Sequence, residues 1–271
     1  MTTPLTHTPH DSGVPASARD FSVEERVVIV TGAAQGIGRE LARQFAAAGA
    51  VAVVADLNID KANTVVKEIH DAGGVGLAVQ VNVADEASVV AMVDTVIEKW
   101  GRVDVLINNA SIFATIEKGP FDEIPLEQWE QVLKVNVTGS YLCVRAVASH
   151  MRAAGFGRII NISSDSVTRG VGNYLHYVTS KSAVIGMTNS LARELGSYGI
   201  TVNCVRPGMV TTEVERNQPA EARARAASQQ CIPRNMAPTD LVGVMFFLAT
   251  PASAFITGQT IACDGGYTHS S

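Results

Sequence analysis

The sequence is poor in charged and aromatic side chains for its length. Of its 271 residues, 17% are charged, 6% are aromatic and 46% are hydrophobic, and the formal net charge is -5. The absence of a long basic run argues against nucleic acid or an anionic membrane as the main partner. A chain of this length and composition can bury a substantial core, as compact α/β folds with a buried sheet do.

Cysteine and long apolar runs are also scarce. Cys143, Cys204, Cys231 and Cys263 form no CxxC pair and have no histidines at zinc-ligand spacing, so neither a disulfide framework nor a metal site is predicted. No apolar run reaches the roughly 20 residues of a transmembrane helix, and a cytoplasmic location is expected. Residues 1–22, rich in Thr, Pro, Ser and His, are predicted to be a flexible tail rather than a signal peptide.

Short β-branched runs alternate with longer helical patterns from residue 26 onward. The runs lie at 27–31, 51–56, 75–83, 103–109, 157–164, 200–208 and 259–266, and the helical patterns at 37–48, 60–72, 86–100, 126–152, 174–197 and 239–249. Strands that are apolar on both faces and separated by helices form parallel sheets covered on both sides. The order predicts an α/β fold: a doubly wound, Rossmann-type, seven-stranded parallel sheet with a ligand crevice at the carboxyl ends of its strands.

One irregular stretch interrupts this alternation. Residues 213–238 lie between the sixth strand and the next helix, and no second zone of composition or internal repeat appears elsewhere. The length of the stretch predicts a substrate lid with one or two short helices; the alternative is a solvated insertion without a role. Residues 23–271 are therefore predicted to form one domain.

A glycine-rich turn follows the first predicted strand. Gly32, Gly36 and Gly38 in VVIVTGAAQGIGREL permit a tight turn, close approach of the backbone to a pyrophosphate, and a helix whose free N–H groups face the phosphates. The spacing is Gly-x-x-x-Gly-x-Gly rather than Gly-x-Gly-x-x-Gly. Its strand–turn–helix context predicts nucleotide binding.

An acidic residue ends the second predicted strand. Asp56 can accept hydrogen bonds from the adenosine ribose and would repel a 2′-phosphate, which favours NAD over NADP. A carboxylate that only caps the next helix is the alternative, although Asn58 can serve as that cap. Gln35 and Arg39 are the neighbouring side chains that could still receive a 2′-phosphate.

The stretch NYLHYVTSK contains a tyrosine and a lysine at helical spacing. Tyr177 and Lys181 are four residues apart, on one face of a helix and roughly 6 Å apart along its axis. An ammonium group beside a phenol stabilises the phenolate and lowers its pKa, as general acid/base chemistry near neutral pH requires. Tyr174 lies on the same predicted face but too far from Lys181 to be reached easily. Surface packing is the alternative for an isolated pair.

Six motifs occur in order along the chain: TGAAQGIG (31–38), NNAS (108–111), KVNVTG with Asn136, the serine pair of NISSDS, YVTSK and RPGMVTT. Together they resemble the classical short-chain dehydrogenase/reductase family over residues 24–268. The resemblance implies a dinucleotide-binding catalytic domain that transfers hydride between a nicotinamide and an alcohol or ketone. It also implies the catalytic residues Asn136, Ser164, Tyr177 and Lys181.

Each of these four residues has an implied role. Tyr177 would exchange the proton of the alcohol, and Lys181 would lower the pKa of Tyr177 and hold the nicotinamide ribose. Ser164, 13 residues before the tyrosine, would stabilise the substrate oxygen, whereas Ser163 on the other side of the strand would be a packing residue. Asn136 would hold a water that links Lys181 to solvent, with a buried amide at a helix kink as a compatible alternative.

The cofactor site implied by the resemblance spans most of the chain. Asn82 stands where the family often has aspartate near the adenine, Asn108 and Ala110 should approach the cofactor, and Thr212 is the expected carboxamide partner. The full predicted set is Gly32, Gln35, Gly36, Ile37, Gly38, Asp56, Leu57, Asn82, Val83, Asn109, Ala110, Tyr177, Lys181, Pro207, Gly208, Val210 and Thr212.

The predicted substrate pocket is mainly apolar with a few polar groups. Such a mixture suits a secondary alcohol or ketone with an aromatic or alicyclic body. Arg169 could pair with a substrate carboxylate or be a solvated loop residue, and His176 is predicted to pack in the wall. The predicted substrate residues are Ser111, Phe113, Ser164, Asp165, Arg169, Tyr174 and Tyr177.

Two other functions are compatible with parts of this sequence. Carrier-protein-linked 3-oxoacyl reductases tend to present arginines where this chain has Gly155 and Tyr198, although Arg152 and Arg158 lie close by; coenzyme-A-linked oxidation stays open. A nucleotide-binding regulator would not need the complete catalytic set. Family resemblance implies a homotetramer, or a homodimer, and the long helical patterns could supply the interfaces.

Overall fold

The computed structural model describes residues 21–113, 115–215 and 220–269. Within these residues lie seven strands: β1 (Val27–Thr31), β2 (Val51–Asp56), β3 (Val75–Gln80), β4 (Val105–Asn108), β5 (Gly157–Ile162), β6 (Ile200–Pro207) and β7 (Thr260–Cys263). They form one sheet of order β3-β2-β1-β4-β5-β6-β7, in which every neighbouring pair is parallel. The predicted doubly wound, Rossmann-type fold is confirmed. The predicted tail at 1–22 lies outside the described residues except for Phe21 and Ser22.

Helices cover both faces of this sheet. They are α1 (Gly36–Ala47), α2 (Ile59–Asp71), α3 (Glu86–Trp100), α4 (Leu126–Leu133), α5 (Gly139–Ala154), α6 (Ser166–Arg169), α7 (Leu175–Leu195), α8 (Ala220–Ser228) and α9 (Val242–Ala249). In β1, Val28 and Val30 face a core shared with α1, α2 and α9, whereas Val27 and Ile29 face a core shared with α3, α5 and α7. Burial on both faces explains why the strand is an unbroken apolar run.

Several strands end earlier than their apolar runs predict. The pattern at 103–109 continues past β4, but Asn109 N–H donates to Ile107 O at 3.1 Å and turns the chain. The run at 259–266 ends at Cys263 because the Asp264 carboxylate accepts N–H bonds from Gly266 and Tyr267. Polar groups that accept bonds from nearby backbone N–H groups end the hydrogen bonding between strands, although the apolar pattern of the sequence continues. These early ends give the loops that form the crevice.

The long predicted helix at 126–152 is interrupted rather than uniform. A π-helical turn, Lys134–Thr138, separates α4 from α5. Such turns are rare and occur often at functional sites. Downstream, residues 213–215 form a 3₁₀ turn that precedes α8, while residues 216–219 of the predicted lid lie outside the described residues.

Cys143, Cys204, Cys231 and Cys263 are free thiols. Among the residues that the structure describes, no group of three or more His, Cys, Asp or Glu side chains is arranged to hold a metal ion. In the same part of the chain, no helix has the length and apolar character needed to cross a membrane.

Candidate active site

A cavity of about 630 Å³ lies at the carboxyl ends of the strands. Every predicted cofactor and substrate residue except Gly38 lines this cavity. Three of the four predicted catalytic residues, Ser164, Tyr177 and Lys181, also line it. Asn136 is the fourth, and it lies behind the wall. The topology therefore brings together residues from seven separate stretches of sequence.

The glycine turn at one end has no room for side chains. Gly32 has a left-handed backbone, with φ of 63°, and a Cβ on it would lie 2.8 Å from the Ala110 Cα. A Cβ on Gly38 would lie 2.4 Å from the Gly32 carbonyl oxygen and 2.5 Å from Asn109 Nδ2. Such contacts require glycine for close helix–strand packing. Gly32 and Gly38 are thus required by the close packing of this turn, as in turns that bind a dinucleotide pyrophosphate.

Asn109 fixes this turn to the end of β4. Its Nδ2 donates to the carbonyl oxygens of Thr31 and Gly32 at 2.9 and 3.0 Å. Thr31 Oγ1 in turn accepts N–H bonds from Asn109 and Ala110, both at 3.1 Å. Asn108, which was expected to approach the cofactor, instead is buried and donates to Asn161 Oδ1 at 2.9 Å. Successive strand residues point to opposite faces, so only one asparagine can serve the turn.

The other side of the turn carries the acidic residue that ends β2. Asp56 Oδ2 accepts from Ala34 N–H at 3.0 Å, and Asp56 Oδ1 accepts from Asn58 N–H at 2.9 Å. Asn58 Oδ1 caps α2 by accepting from Lys61 N–H at 3.0 Å, so Asp56 is not the cap of that helix. Arg39 donates two hydrogen bonds to Glu68, at 2.8 and 3.1 Å. These contacts leave Asp56 beside the turn and turn Arg39 toward another carboxylate.

The loop that follows β6 forms another part of the cavity wall. Pro207, Gly208, Val210 and Thr212 line the cavity. A Cβ on Gly208 would lie 3.0 Å from the Asp264 Cα, so this loop packs closely against the chain after β7. This backbone is therefore fixed beside the predicted nicotinamide position.

The predicted catalytic pair lies on α7. Lys181 Nζ lies 5.7 Å from the centre of the Tyr177 ring and donates to the Ile162 carbonyl oxygen at 2.9 Å. Both side chains line the cavity. The helix spacing of four residues thus places an amine next to the phenol ring, at the end of β5.

Burial of Lys181 shifts its titration. Removal of the ammonium group from water lowers the pKa of Lys181 from 10.5 to about 8. At neutral pH the side chain remains mostly a cation, while its proton is held less tightly than that of an exposed lysine.

The lowered pKa of Lys181 predicts that its contribution to stability depends on pH. The unfolded chain binds a proton at Lys181 up to pH 10.5 and the folded chain only up to about 8, so stability must rise with pH between these values. The quantity to follow is the unfolding free energy of the native protein minus that of a Lys181→Met variant, both without cofactor. We expect this difference to be about 3 kcal/mol larger at pH 10.5 than at pH 7.5. Urea unfolding at several pH values measures this difference. A constant difference across that window would contradict the lowered pKa of Lys181.

The two serines after β5 have different environments. Ser163 is buried and its Oγ donates to the Lys181 carbonyl oxygen at 2.8 Å. Ser164 Oγ accepts from Ser166 N–H at 3.2 Å and lies 3.5 Å from Asp165 Oδ1. Ser163 therefore ties β5 to α7, and Ser164 is the serine with a half-buried hydroxyl at the catalytic end of the cavity.

Asn136 lies in the π-helical turn and links three elements. Its Oδ1 accepts from Ile112 N–H at 2.8 Å, and its Nδ2 donates to Ser180 Oγ at 3.0 Å. The extra residue of the π-helical turn aims this amide at both the loop after β4 and α7. These contacts hold the loop against the helix that carries Tyr177, and the water contact implied for Asn136 stays a prediction.

An aromatic cluster lines the part of the cavity predicted to bind substrate. Tyr174 stacks on Tyr177 with ring centres 4.6 Å apart, and Phe113 lies 5.5 Å from Tyr177. Tyr174 is the N-cap residue of α7 rather than part of its face, because Asn173 before it has a left-handed φ of 58°. Its hydroxyl donates to the Phe113 carbonyl oxygen at 3.1 Å. Tyr174 thus supports both the loop and the catalytic ring. His176 is buried against it, as predicted for a packing residue.

Arg169 is an exposed residue that also contacts two neighbours. Its Nη1 lies 3.2 Å from Asp165 Oδ2, and its guanidinium group lies 4.4 Å from the centre of the Tyr267 ring. Burial raises the pKa of Asp165, and the charge and hydrogen bond of Arg169 oppose this effect. The pair places opposite charges side by side in the cavity wall.

Several lining residues were not predicted from the sequence. They are Val81, Lys118, Gln131, Val135, Ile162, Val171 and Met209. Gln131 and Val135 lie four apart and could have been found from helical spacing toward the pocket. Lys118, whose Nζ lies 4.7 Å from the centre of the Tyr174 ring, comes from an irregular segment and carries no such signal.

Comparison with known proteins places this geometry in a family. A family model described as enoyl-(acyl carrier protein) reductase matches residues 32–268. Cis-4-hydroxycyclohexanecarboxylate dehydrogenase of Sinomonas cyclohexanicum is 39% identical over 244 residues, which cover 90% of this chain and 97% of that protein. The 3-oxoacyl-[acyl-carrier-protein] reductase of Synechocystis sp. is 41% identical over 245 residues, which cover 89% of this chain and 96% of that protein.

A solved structure agrees with these matches. The 7α-hydroxysteroid dehydrogenase complexed with NADH and 7-oxo glycochenodeoxycholic acid has a TM-score of 0.88 at 32% identity, covering 93% of this chain and 98% of that one. The family match extends over most of the chain, and the seven-stranded parallel sheet is the one that the sequence predicts. The protein therefore belongs to the short-chain dehydrogenase/reductase family of oxidoreductases.

Proposed function

We propose that this protein is an NAD(H)-dependent oxidoreductase that interconverts secondary alcohols and ketones, with a preference for substrates that have an aromatic or alicyclic body. The observation that carries the proposal is the convergence of Tyr177, Lys181 and Ser164 on the cavity whose other end is the glycine turn with Asp56. A phenol, an amine and a hydroxyl near a dinucleotide turn are the groups that alcohol oxidation requires.

Bound nicotinamide would accept or donate the hydride. Tyr177 would take the proton of the alcohol during oxidation and return it during reduction. Lys181 would stabilise the phenolate by its charge, and Ser164 would hydrogen-bond the substrate oxygen as charge develops on it. Asn136 would act through Ser180 and Ile112 by fixing the position of α7 against the neighbouring loop.

The preference for NAD rests on Asp56 and Arg39. A carboxylate beside the adenosine ribose binds hydroxyls and repels a 2′-phosphate, while Arg39 is engaged by Glu68 in a two-point ion pair. Leu57, Asn82 and Val83 complete the adenine end.

We expect Asp56→Asn to raise the specificity for NADP relative to NAD by about tenfold or more, because the variant keeps the shape of Asp56 and loses its charge. The ratio of kcat/KM for the two cofactors measures this effect. Asp60→Asn, an exposed residue nearby, serves as control. An unchanged ratio in Asp56→Asn would show that another group selects the cofactor.

The ring-bearing substrate class rests on the pocket wall. Phe113 and Tyr174 give flat apolar surfaces beside Tyr177, and Ile112 and Val171 pack against the same cluster. Such walls favour bulky apolar substrates over short acyclic ones. Related proteins are named for a hydroxycyclohexanecarboxylate and for a 7α-hydroxysteroid, both of which are alicyclic alcohols.

A substrate screen tests this function. NAD reduction is measured with cyclohexanol, 1-phenylethanol and acyclic secondary alcohols, with NADP in place of NAD as a control. We expect the cyclic and aromatic alcohols to give the higher kcat/KM with NAD. Turnover with NADP alone would contradict the cofactor assignment, and no turnover with any alcohol would favour the nucleotide-binding regulator instead.

Carrier-protein or coenzyme-A-linked 3-oxoacyl chemistry is the second candidate. Similarity to the 3-oxoacyl reductase favours it. Gly155 and Tyr198 give no arginine at the positions expected for carrier contact, and the nearby Arg158 is buried with its Nε donating to the Thr250 carbonyl oxygen. Arg152 remains on the surface, over the Tyr198 ring. Faster turnover of acetoacetyl-CoA than of any alcohol or ketone in the panel would favour this candidate.

The proposal includes a cytoplasmic homotetramer, or a homodimer. Tyr141 on α5 and Leu175 on α7 are exposed apolar side chains, and β7 is an edge strand of the sheet. Association would cover these surfaces.

A further inference from the structure

The residue after the predicted nicotinamide loop contacts the glycine turn. Glu213 begins the 3₁₀ turn Glu213–Glu215, and its Oε1 accepts a hydrogen bond from Gly36 N–H at 2.9 Å. Gly36 is the first residue of α1, which has 12 residues. A carboxylate therefore lies at the helix N-terminus where the glycine turn was predicted to receive phosphate groups.

The backbone of this segment is seated closely on the turn. A Cβ on Gly36 would lie 3.3 Å from Val214 Cγ2, and Gly36 has a left-handed φ of 58°. Thr212, on the other side of Glu213, also lies within contact distance of that position. The missing side chain at Gly36 thus allows a negatively charged residue to approach an N–H group at the end of a helix.

A diphosphate and a carboxylate would both bind to the N–H groups at the N-terminus of α1. The N-terminus of a helix carries a partial positive charge and free N–H groups, so it binds anions of either kind. Two anions within a few ångströms repel each other, and one N–H group cannot donate a good hydrogen bond to both. The anion that belongs to the protein must move when the other binds.

We propose that Glu213 is an internal anion that competes with the cofactor diphosphate for the N-terminus of α1 and thereby weakens cofactor affinity. This inference rests on the proposed function, because it assumes a dinucleotide at the glycine turn. Displacement of Glu213 would also release the 212–214 segment from the turn, which couples cofactor binding to the position of that segment. Weaker binding favours release of the cofactor after each turnover.

The test compares ligands with and without a diphosphate. Glu213→Gln keeps an oxygen that can accept from Gly36 N–H and removes the charge, and Glu213 is exposed, so the core is untouched. Isothermal titration with ADP is expected to give a Kd about tenfold lower for Glu213→Gln than for the native protein. The Kd for adenosine, which has no phosphate, is expected to differ by less than about twofold between the two proteins.

A matched variant and the remaining outcomes separate the explanations. Glu221→Gln in α8 removes an exposed charge elsewhere in the predicted lid and should leave the Kd for ADP unchanged. An equal or higher Kd for ADP in Glu213→Gln, or an equal gain for adenosine, would overturn the proposal while the proposed function stands. If the native protein bound neither ADP nor NADH, the dinucleotide site itself would be wrong, and the role of Glu213 would fall with it.

Discussion

Replacing Tyr177 with phenylalanine is expected to lower kcat about 10³-fold and to change the Kd for NADH by less than about twofold. The variant keeps the aromatic ring that packs between Phe113 and Tyr174, at 5.5 and 4.6 Å, so the shape of the pocket is retained. It loses only the hydroxyl that would exchange the proton with the substrate. Steady-state rates and NADH fluorescence titration measure the two quantities separately.

The control for this prediction is the neighbouring tyrosine. Tyr174→Phe removes a hydroxyl that donates to the Phe113 carbonyl oxygen and should reduce activity far less, because that hydroxyl positions a loop. If Tyr177→Phe retained native activity, proton transfer would have to come from another group in the cavity. Equal losses in the two variants would instead indicate a shared packing role.

The second large effect is expected at the glycine turn. A Cβ on Gly38 would lie 2.4 Å from the Gly32 carbonyl oxygen and 2.9 Å from the Ala33 Cα, and these backbone atoms cannot rotate away as a side chain would. We expect Gly38→Ala to destabilise the fold by about 2–3 kcal/mol and to weaken NADH binding by more than about tenfold, because the turn must open. Thermal unfolding and NADH titration measure both.

A second glycine gives the matched control. Gly243 lies at the start of α9 with open space around its Cα, so Gly243→Ala should unfold at the same or a slightly higher temperature and bind NADH normally. Native NADH affinity in Gly38→Ala would show that the cofactor does not depend on the closeness of helix α1 to this turn.

Much of the fold follows from sequence periodicity. In β1, Val27 to Val30 contact two cores on opposite faces, and this burial is what makes the strand an unbroken apolar run. The spacing of Tyr177 and Lys181 on α7 likewise follows from helical geometry. The sequence pattern is sufficient at these positions because each feature depends on the geometry of a single strand or helix.

Other features depend on contacts between elements. The π-helical turn around Asn136 leaves the apolar pattern of the surrounding helix unchanged, so only the partners of the amide, Ile112 and Ser180, reveal it. Tyr174 was assigned to the helical face of Tyr177, but the left-handed Asn173 makes it the N-cap, and stacking brings the two rings together. A tertiary contact of this kind has no signature in sequence spacing.

The contact between Glu213 and Gly36 is also one that sequence spacing does not predict. The two residues are 177 positions apart, and the glycine pattern alone predicted a free helix N-terminus. A carboxylate from a distant segment occupies a position that the motif assigns to phosphate. The motif identifies the anion site, and only the fold identifies which anion of the chain can reach it.

Transfer of deuterium from substrate to cofactor tests the central claim most directly. A cyclic secondary alcohol that turns over in the screen is labelled with deuterium on its carbinol carbon and incubated with the enzyme and NAD, and the reduced cofactor is analysed by mass spectrometry. Hydride transfer predicts one deuterium in each NADH formed by the native protein, and almost no NADH from Tyr177→Phe. Unlabelled NADH, or labelled NADH formed equally fast by the variant, would contradict the proposed function.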